Sequence, residues 1–473
     1  MNSEKMKEVR VSDFLNITDY VANGSFASLK ENVKYRDRPD YAVMIRLADY
    51  NSGWNKDFVY IDQDGFSFLK KSMVLPGDVI ISNVGANAGT VFRAPNLGIP
   101  MTLGPNSVLV KPKQDKPYLN DYIYYFFVSP KGQHLLKSIL SGSAQPKFNK
   151  TDFRSCKIDI PLNEDYVKYA KPLVKLDRKI RLNNQINHTI EQMAQALFKS
   201  WFVDFEPVKA KIAVLEAGGS QKDATLAAMT AISGKDADAL KVFESEYPEQ
   251  YAELKTTAEL FPSAMQDSEL GEIPEGWRHG PLSNIATFAN GKVDVCSLTP
   301  ETYISTENML ENRAGISTAS SLPSVNSVPE FRCGHVLISN IRPYFKKIWL
   351  ARFKGGRSAD VLAFEALDSV TVEYVYNLLY QETFFNFMML TSKGVKMPRG
   401  DKKAIMGWQC IHPDKKISNV FSKAVGEYYS FIEINNAQNK TLTQLRDTLL
   451  PKLLSGEITL PEAEQAISEV ENV

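Results

Sequence analysis

Four cysteines in 473 residues, Cys156, Cys296, Cys333 and Cys410, stand apart with no CxxC pair. Such sparse thiols exclude a disulfide framework and point to a reducing, cytoplasmic setting. Cys333-Gly334-His335 is the one Cys/His proximity, too few ligands for a metal site. No apolar run is long enough to cross a bilayer; the densest, Tyr122 to Val128, is far too short, so no membrane partner is expected. The start, MNSEKMKEVR, is polar and shows no signal peptide. Catalytic motifs are missing too. Ser233-Gly234-Lys235-Asp236 lacks the first glycine and the hydroxyl residue of a phosphate loop. There is no Asn-Pro-Pro or Asp-Pro-Pro run of the kind amino-methyltransferases use on a flipped base. Gly85-Ala86-Asn87-Ala88-Gly89-Thr90 reads as a hairpin turn, because strand-like residues rather than a helix follow it. The chain is therefore expected to be non-catalytic and to bind no cofactor.

Net charge is also lacking: 55 basic residues balance 55 acidic ones. The balance is uneven along the chain. Residues 206–275 carry a net −8 and residues 455–473 a net −5, so the remainder carries +13. Acidic connectors beside basic bodies are compatible with a local nucleic-acid footprint. At 44% apolar residues, the chain can bury cores in two to four domains.

What is present, above all, is a heptad seam that occurs twice. Tyr166, Tyr169, Leu173, Leu176, Ile180, Asn183, Asn187, Ile190, Ala194, Leu197 and Trp201 follow three-four spacing. Adding 252 gives Phe421, Val425, Tyr428, Ile432, Asn435, Asn439, Leu442, Arg446, Leu449 and Leu453 in the same frame. Such a stripe is the seam of a coiled coil. The offset extends upstream: Tyr122 and Tyr124 match Tyr374 and Tyr376, Gly142 matches Gly394, and Pro146 matches Pro398. Further back it drifts, yet Gly77 to Asn83 still resembles Gly334 to Asn340. The chain is a duplication, each half a body of about 140 residues followed by a long helix.

Each body mixes β-rich runs with a helical patch, an α+β pattern. Val79–Ser82 and Thr90–Phe92 flank the glycine turn; Val336–Ser339 and Lys347–Leu350 flank Arg342-Pro343-Tyr344. Asn120-Asp121 is expected to cap a helix through Phe127, with Pro130 opening another toward Leu140. Between the halves, residues 206–275 read as an acidic spacer, partly helical, ending in the turn-rich Gly271 to Trp277.

Asparagine in an apolar seam costs stability and tends to fix register. An antiparallel pair about a pseudo-twofold would set Asn183 against Asn439 and Asn187 against Asn435. The alternative is that these amides face solvent or a partner and set no register. The pairing seam is then Leu173, Leu176, Ile180, Asn183, Asn187, Ile190 and Leu197 with Ile432, Asn435, Asn439, Leu442 and Leu449. A seam of this length spans roughly 54 Å at 1.5 Å per residue. DNA half-sites on one duplex face lie about 34–36 Å apart.

Asn, Gln, Arg and Lys can pair with base edges or phosphates. The expected contact residues of the first body are Asn83, Asn87, Gln145, Lys147, Lys150 and Arg154. Those of the second are Asn340, Arg342, Tyr344, Lys346, Lys347, Lys393, Lys396, Arg399 and Lys402. An ordinary solvated basic surface is the plain alternative; recurrence of both loops at matching places favours contact. A further run, Lys168, Lys171, Lys175, Arg178, Lys179 and Arg181, lies on the first long helix, facing phosphates, a partner or solvent. Asp177 and His188 on that helix read as solvated or partner-facing.

Four stretches resemble a known family. Leu176-Asp177-Arg178-Lys179-Ile180 through Asn187, and Met193 through Phe205, resemble the central region of type I restriction-modification specificity subunits. Gly271-Glu272-Ile273-Pro274-Glu275-Gly276-Trp277 resembles the lead into their second target recognition domain. Leu450-Pro451-Lys452-Leu453-Leu454-Ser455-Gly456-Glu457-Ile458 resembles the end of their C-terminal helix. The resemblance implies target recognition domains at 1–160 and 276–412, a central helix at 161–205, the spacer at 206–275, and a C-terminal helix with acidic tail at 413–473. It implies two similar recognition domains joined by two long antiparallel coiled-coil helices. Each body would read half of an asymmetric double-stranded DNA site, and the helices would set the gap. Two methyltransferase subunits would dock on the helices and two restriction subunits would join. S-adenosylmethionine, ATP and Mg would sit on those partners. The long spacer departs from the pattern and leaves its local fold open. A stand-alone tandem DNA-binding regulator and a pure protein scaffold are the competing readings.

Overall fold

The computed structural model describes residues 6–54, 58–142 and 145–471. The first five residues, part of the segment read for a signal peptide, and the last two of the acidic tail lie outside them. The chain forms two compact units, one of residues 1–184 with 436–473, the other of residues 185–435.

In the first unit, strands Met6–Arg10 and Lys157–Pro161 pair antiparallel, with Met6 opposite Pro161, so the chain leaves the body beside its entry point. A four-stranded antiparallel sheet runs in the spatial order Leu15–Asp19, Ser107–Pro112, Val79–Ser82, Val91–Arg93. A second four-stranded sheet contains one parallel pair, Ala42–Ile45 with Met101–Leu103. Helices Leu119–Val128, Pro130–Ser138 and Lys150–Ser155 complete the body.

The second unit repeats this order. Arg278–Pro281 pairs with Gln409–His412. The first sheet runs Ala286–Phe288, Val361–Ala366, Val336–Ser339, Ile348–Leu350. Its second sheet also has one parallel pair, Tyr303–Ile304 with Gly355–Arg357. Helices Val372–Tyr380, Glu382–Leu390 and Lys402–Met406 follow. The repeat reaches single hydrogen bonds. The Tyr122 hydroxyl donates to the Asp159 carbonyl at 2.8 Å, and the Tyr374 hydroxyl to the Ile411 carbonyl at 2.6 Å.

Capping of the first body's helix differs from the expectation. Its N-cap is Tyr118 in the left-handed region, with no side-chain cap. Asn120 instead donates to the Gly77 carbonyl, and Asp121 pairs with Arg93 at 2.6 Å, so both side chains tie the helix to the sheet. The spacer is also more regular than a partly helical strip. Helices Glu206–Glu216, Gln221–Ser233, Ala237–Glu246 and Pro248–Leu260 pack around Ala228, Met229, Leu240 and Ala258. Pro248 opens the last of these, where its missing N–H costs nothing. Ser220 and Asp223 form a capping box, and Gly234 closes the second helix at φ 67°.

The long helices are Val167–Phe202 and Lys415–Ser455. Within the first unit they run antiparallel: Asp177 pairs with Arg446, and Asn183 Nδ2 donates to Asn439 Oδ1 at 3.0 Å and to Gln438 Oε1 at 2.8 Å. Asn439 in turn donates to Asn184 at 2.8 Å. Within the second unit Asn435 donates to Asn187 at 2.8 Å, and Phe198 and Trp201 pack on Phe421. Leu173, Leu176, Leu442 and Leu449 are buried, whereas Ile180, Ile190, Leu197 and Ile432 are half-buried. Fully burying a leucine contributes roughly 1.5–3 kcal/mol. Two frame positions are corrected. Tyr429, not Tyr428, is the buried one, because it turns toward the second body's Asn377. Arg446 is a half-buried partner of Asp177, which is therefore not a solvated residue. The acidic tail is not loose either: helix Leu460–Glu471 buries Ala463 and Ile467 in the first unit's core.

One acid of the second unit is out of its usual range. Glu191 accepts from the Tyr376 hydroxyl at 3.4 Å, and burial pushes its carboxyl up to about 7 despite hydrogen bonds from Gln195 and Tyr376 and the charge of Arg352. The folded protein then holds a proton that the unfolded chain releases near 4.5. Stability should fall as pH rises from about 4.5 to about 7 and level off above that. Glu191→Gln keeps the shape without the titration. It should match the native protein near pH 5 and exceed it by about 1–3 kcal/mol at pH 8. Denaturant midpoints across this range test it; parallel curves would sink the assignment.

Candidate nucleic-acid interface

In each body the two loops singled out by sequence meet at one end of the first sheet. In the first body Lys147 forms isolated bridges with both Val84 and Ser141, Gly85 N–H donates to the Pro146 carbonyl at 2.8 Å, and Phe148 N–H donates to the Asn83 carbonyl at 3.1 Å. In the second body Arg399 bridges both Ile341 and Lys393, Arg342 N–H donates to the Pro398 carbonyl at 2.8 Å, and Gly400 N–H donates to the Asn340 carbonyl at 3.1 Å. The same junction is built twice, with Lys147 and Arg399 at its centre. Left-handed backbone makes the turns possible: Gly85 and Gly89 at φ 96° in one, Arg342 at 51° and Lys346 at 50° in the other.

The junctions sort the expected contact residues. Asn340 is buried at 6% exposure and its Oδ1 has no partner; Asn83 is half-buried with an unpartnered Oδ1. Both sit inside the junction rather than on its surface; the burial of the Asn340 side chain does not fit the base contact expected of it, while its backbone N–H and carbonyl join the loops. Lys347 is half-buried and donates to the Thr306 carbonyl at 2.7 Å, and burial pushes its ammonium down. It too is withdrawn as a surface contact. Lys346 pairs with Glu382 at 2.8 Å, Lys393 with Asp401 at 2.6 Å, and Lys150 with Asp19 at 2.7 Å. The Arg154 guanidinium donates to the Ile17 carbonyl at 2.6 Å. These four stay at the surface but are partly spent on their own body.

Asn87, Gln145, Lys147, Tyr344, Lys396 and Lys402 are exposed, and among the described residues no ion pair includes Lys147, Lys396 or Lys402. Arg342 is half-buried with an unpartnered Nε. Arg399 is 56% exposed, and one guanidinium nitrogen meets both Asp360 oxygens, at 2.9 and 3.0 Å. Its Nε and other amino group remain for a ligand. Asp360 was not found from sequence, because it reaches Arg399 across 39 residues. Its repeat counterpart is Asn106, whose carbonyl accepts from Asn83 N–H just as that of Asp360 accepts from Asn340 N–H. The arrangement offers cationic and amide donors on a rigid loop pair. Among the described residues no cluster of three His, Cys, Asp or Glu could hold a metal ion.

Residues 3–192 match the model of the type I restriction modification DNA specificity domain. The specificity subunit of type I restriction enzyme HindI of Haemophilus influenzae is 28% identical over 465 residues, covering 92% of this chain and 98% of that protein. The MjaIX specificity subunit of Methanocaldococcus jannaschii is 23% identical over 456 residues, covering 93% and 92%. A crystal structure of a type I system S subunit from M. genitalium aligns over 96% of this chain and 97% of that chain, at 12% identity and a TM-score of 0.47. A duplicated α+β body and a duplicated helix accompany this similarity: residues 3–192 match the type I DNA specificity domain, and nearly the whole chain is similar to named type I specificity subunits.

Proposed function

We propose that each body reads one half of an asymmetric, bipartite duplex DNA site through its two-loop junction. The long helices set the unread gap between the halves and dock two methyltransferase subunits. Two restriction subunits complete the assembly, and S-adenosylmethionine, ATP and Mg sit on those partners. The observation that carries the reading is the junction itself, built from the same backbone bonds in both bodies but with different side chains at its centre. Identical scaffolds with unlike donors fit two unlike half-sites.

Docking of two copies of one partner is supported by exposed helix positions that recur at the repeat offset. Leu182 and Ile434 are 48% and 63% exposed, and the pairs Thr189/Thr441 and Gln192/Gln444 are exposed as well. Core packing gives no reason for these to repeat. A stand-alone regulator would leave such a face without a task.

Sequencing the methylome of a host that expresses this chain with a methyltransferase partner should reveal one bipartite motif. Replacing residues 7–160 with the body of another specificity subunit should change one half of it. A change in both halves would contradict modular reading. At the level of residues, Arg399→Ala should weaken binding to duplexes carrying the intact second half-site by about 1–3 kcal/mol, with little loss on altered ones. Lys396→Ala should instead weaken all duplexes alike and make the salt slope shallower by about 0.9 for each phosphate no longer neutralised. Equal loss on every sequence from Arg399→Ala would move that residue to the phosphate class.

A further inference from the structure

The bodies are alike, yet they grip the helices through different chemistry. In the first unit the Tyr125 hydroxyl donates to Asp177 at 2.6 Å, and Asp177 is held by Arg446 at 2.9 Å. The repeat counterparts of Tyr125 and Asp177 are Asn377 and Tyr429. In the second unit Asn377, fully buried, exchanges hydrogen bonds with the Tyr429 hydroxyl at 2.8 and 3.0 Å and accepts from Gln195 at 2.6 Å. Gln381 donates to Gln195 at 2.9 Å, where the first body has Ser129. The counterpart of Arg446 is Ala194, wholly buried, so the second unit has no cation at that point.

A second difference is one of charge. Arg352 of the second body pairs with Glu433 at 2.6 Å and lies over the Tyr429 ring at 5.3 Å. The position matching Glu433 on the first long helix is Arg181. The shared contacts, such as Tyr122 and Tyr374 on their own closing strands, do not distinguish the bodies. The lock residues do.

We infer that the helix pair carries a separate address for each body: Asp177 with Arg446 for the first, Tyr429, Gln195 and Glu433 for the second. Misplaced, the first body would bring Tyr125 against Tyr429 and Gln195 in place of its own acceptor, Asp177. The second body would bring Asn377 against the Asp177–Arg446 pair and Arg352 against Arg181. The first arrangement removes the acceptor of a buried hydroxyl, and the second sets Arg352 against Arg181 instead of Glu433, so both are costly. These are positioning residues, distinct from the loop residues proposed to meet DNA. Together with the proposed half-site reading, they fix the order in which the two half-sites are read along the chain.

The strand register gives clean junctions for a test, since Lys7 and Ile160 pair as Arg278 and His412 do. A full-length chain in which residues 7–160 also replace residues 278–412 carries the first body twice. Its second unit should exchange amide protons faster and melt below that of the native chain. Giving only the transplanted copy Tyr125→Asn and Ser129→Gln should recover most of that loss. In the native chain, Tyr125→Phe should lower the melting temperature of the first unit by about 2–4 °C. Equal stability of the duplicated chain and the native one would overturn the inference. So would a failure of the two substitutions to restore the duplicated chain, or an unmoved melting temperature in Tyr125→Phe. These readouts need no DNA, so a failed half-site assay alongside restored stability would fault the proposed function and leave the addresses standing.

Discussion

A buried asparagine amide must find a partner, and in this protein it finds one on the other long helix. Asn183 is 1% exposed and Asn435 6%. Sliding either helix by one turn would leave these groups unpaired inside an apolar seam, at a cost of about 1–3 kcal/mol each. Leucine seams tolerate slippage; seams with amide layers do not. In each unit the amide pair therefore fixes which residue of one helix stands beside which residue of the other. Everything docked on the helices inherits that register, including the Asp177–Arg446 pair in one unit and the Gln195–Asn377–Tyr429 group in the other.

The bodies turn this fixed register into fixed loops. Each begins and ends on a pair of antiparallel strands, Met6–Arg10 with Lys157–Pro161 and Arg278–Pro281 with Gln409–His412. The chain thus returns to the start of its helix, and the intervening residues are held by two sheets. At the sheet end, backbone bonds join the two basic loops in both bodies, with the Asn83 side chain adding one bond to the Phe148 carbonyl in the first. Side chains there can change without loss of the scaffold. Such a scaffold can carry different side chains at its loops without being rebuilt.

The sequence carried the fold in its periodicities. The heptad spacing, the 252-residue offset and the Gly85 turn each leave a local mark, and the observed helices, repeated strand order and hairpin follow them. Nonlocal pairing left no such mark. Nothing near Asp360 announces Arg399, and nothing near Asp19 announces Lys150. Burial of Asn340 was equally hidden, since an asparagine in a basic loop reads as a surface donor until the bridging strand covers it. The cap at Asn120-Asp121 failed for a related reason: both side chains had better partners in the sheet than on their own helix. Residue type and spacing located the loops; only the three-dimensional pairing separated free donors from spent ones.

That separation bears on where specificity resides. Of the cations in the second body's loops, several neutralise acids of the same body. A cation so paired contributes less to a phosphate contact, because it must give up one partner to gain another. Arg399 is a different case. Asp360 holds one of its nitrogens and leaves the rest of a planar fork exposed, which reduces the freedom lost on binding. At the matching place the first body has Lys147, a flexible point charge with no such clamp among the described residues, and Asn106 instead of an acid. One junction is thus equipped for directional pairing and the other for a looser electrostatic contact. The two bodies share a scaffold, and the cations at its centre differ in how they are held, a difference that traces to one carboxylate.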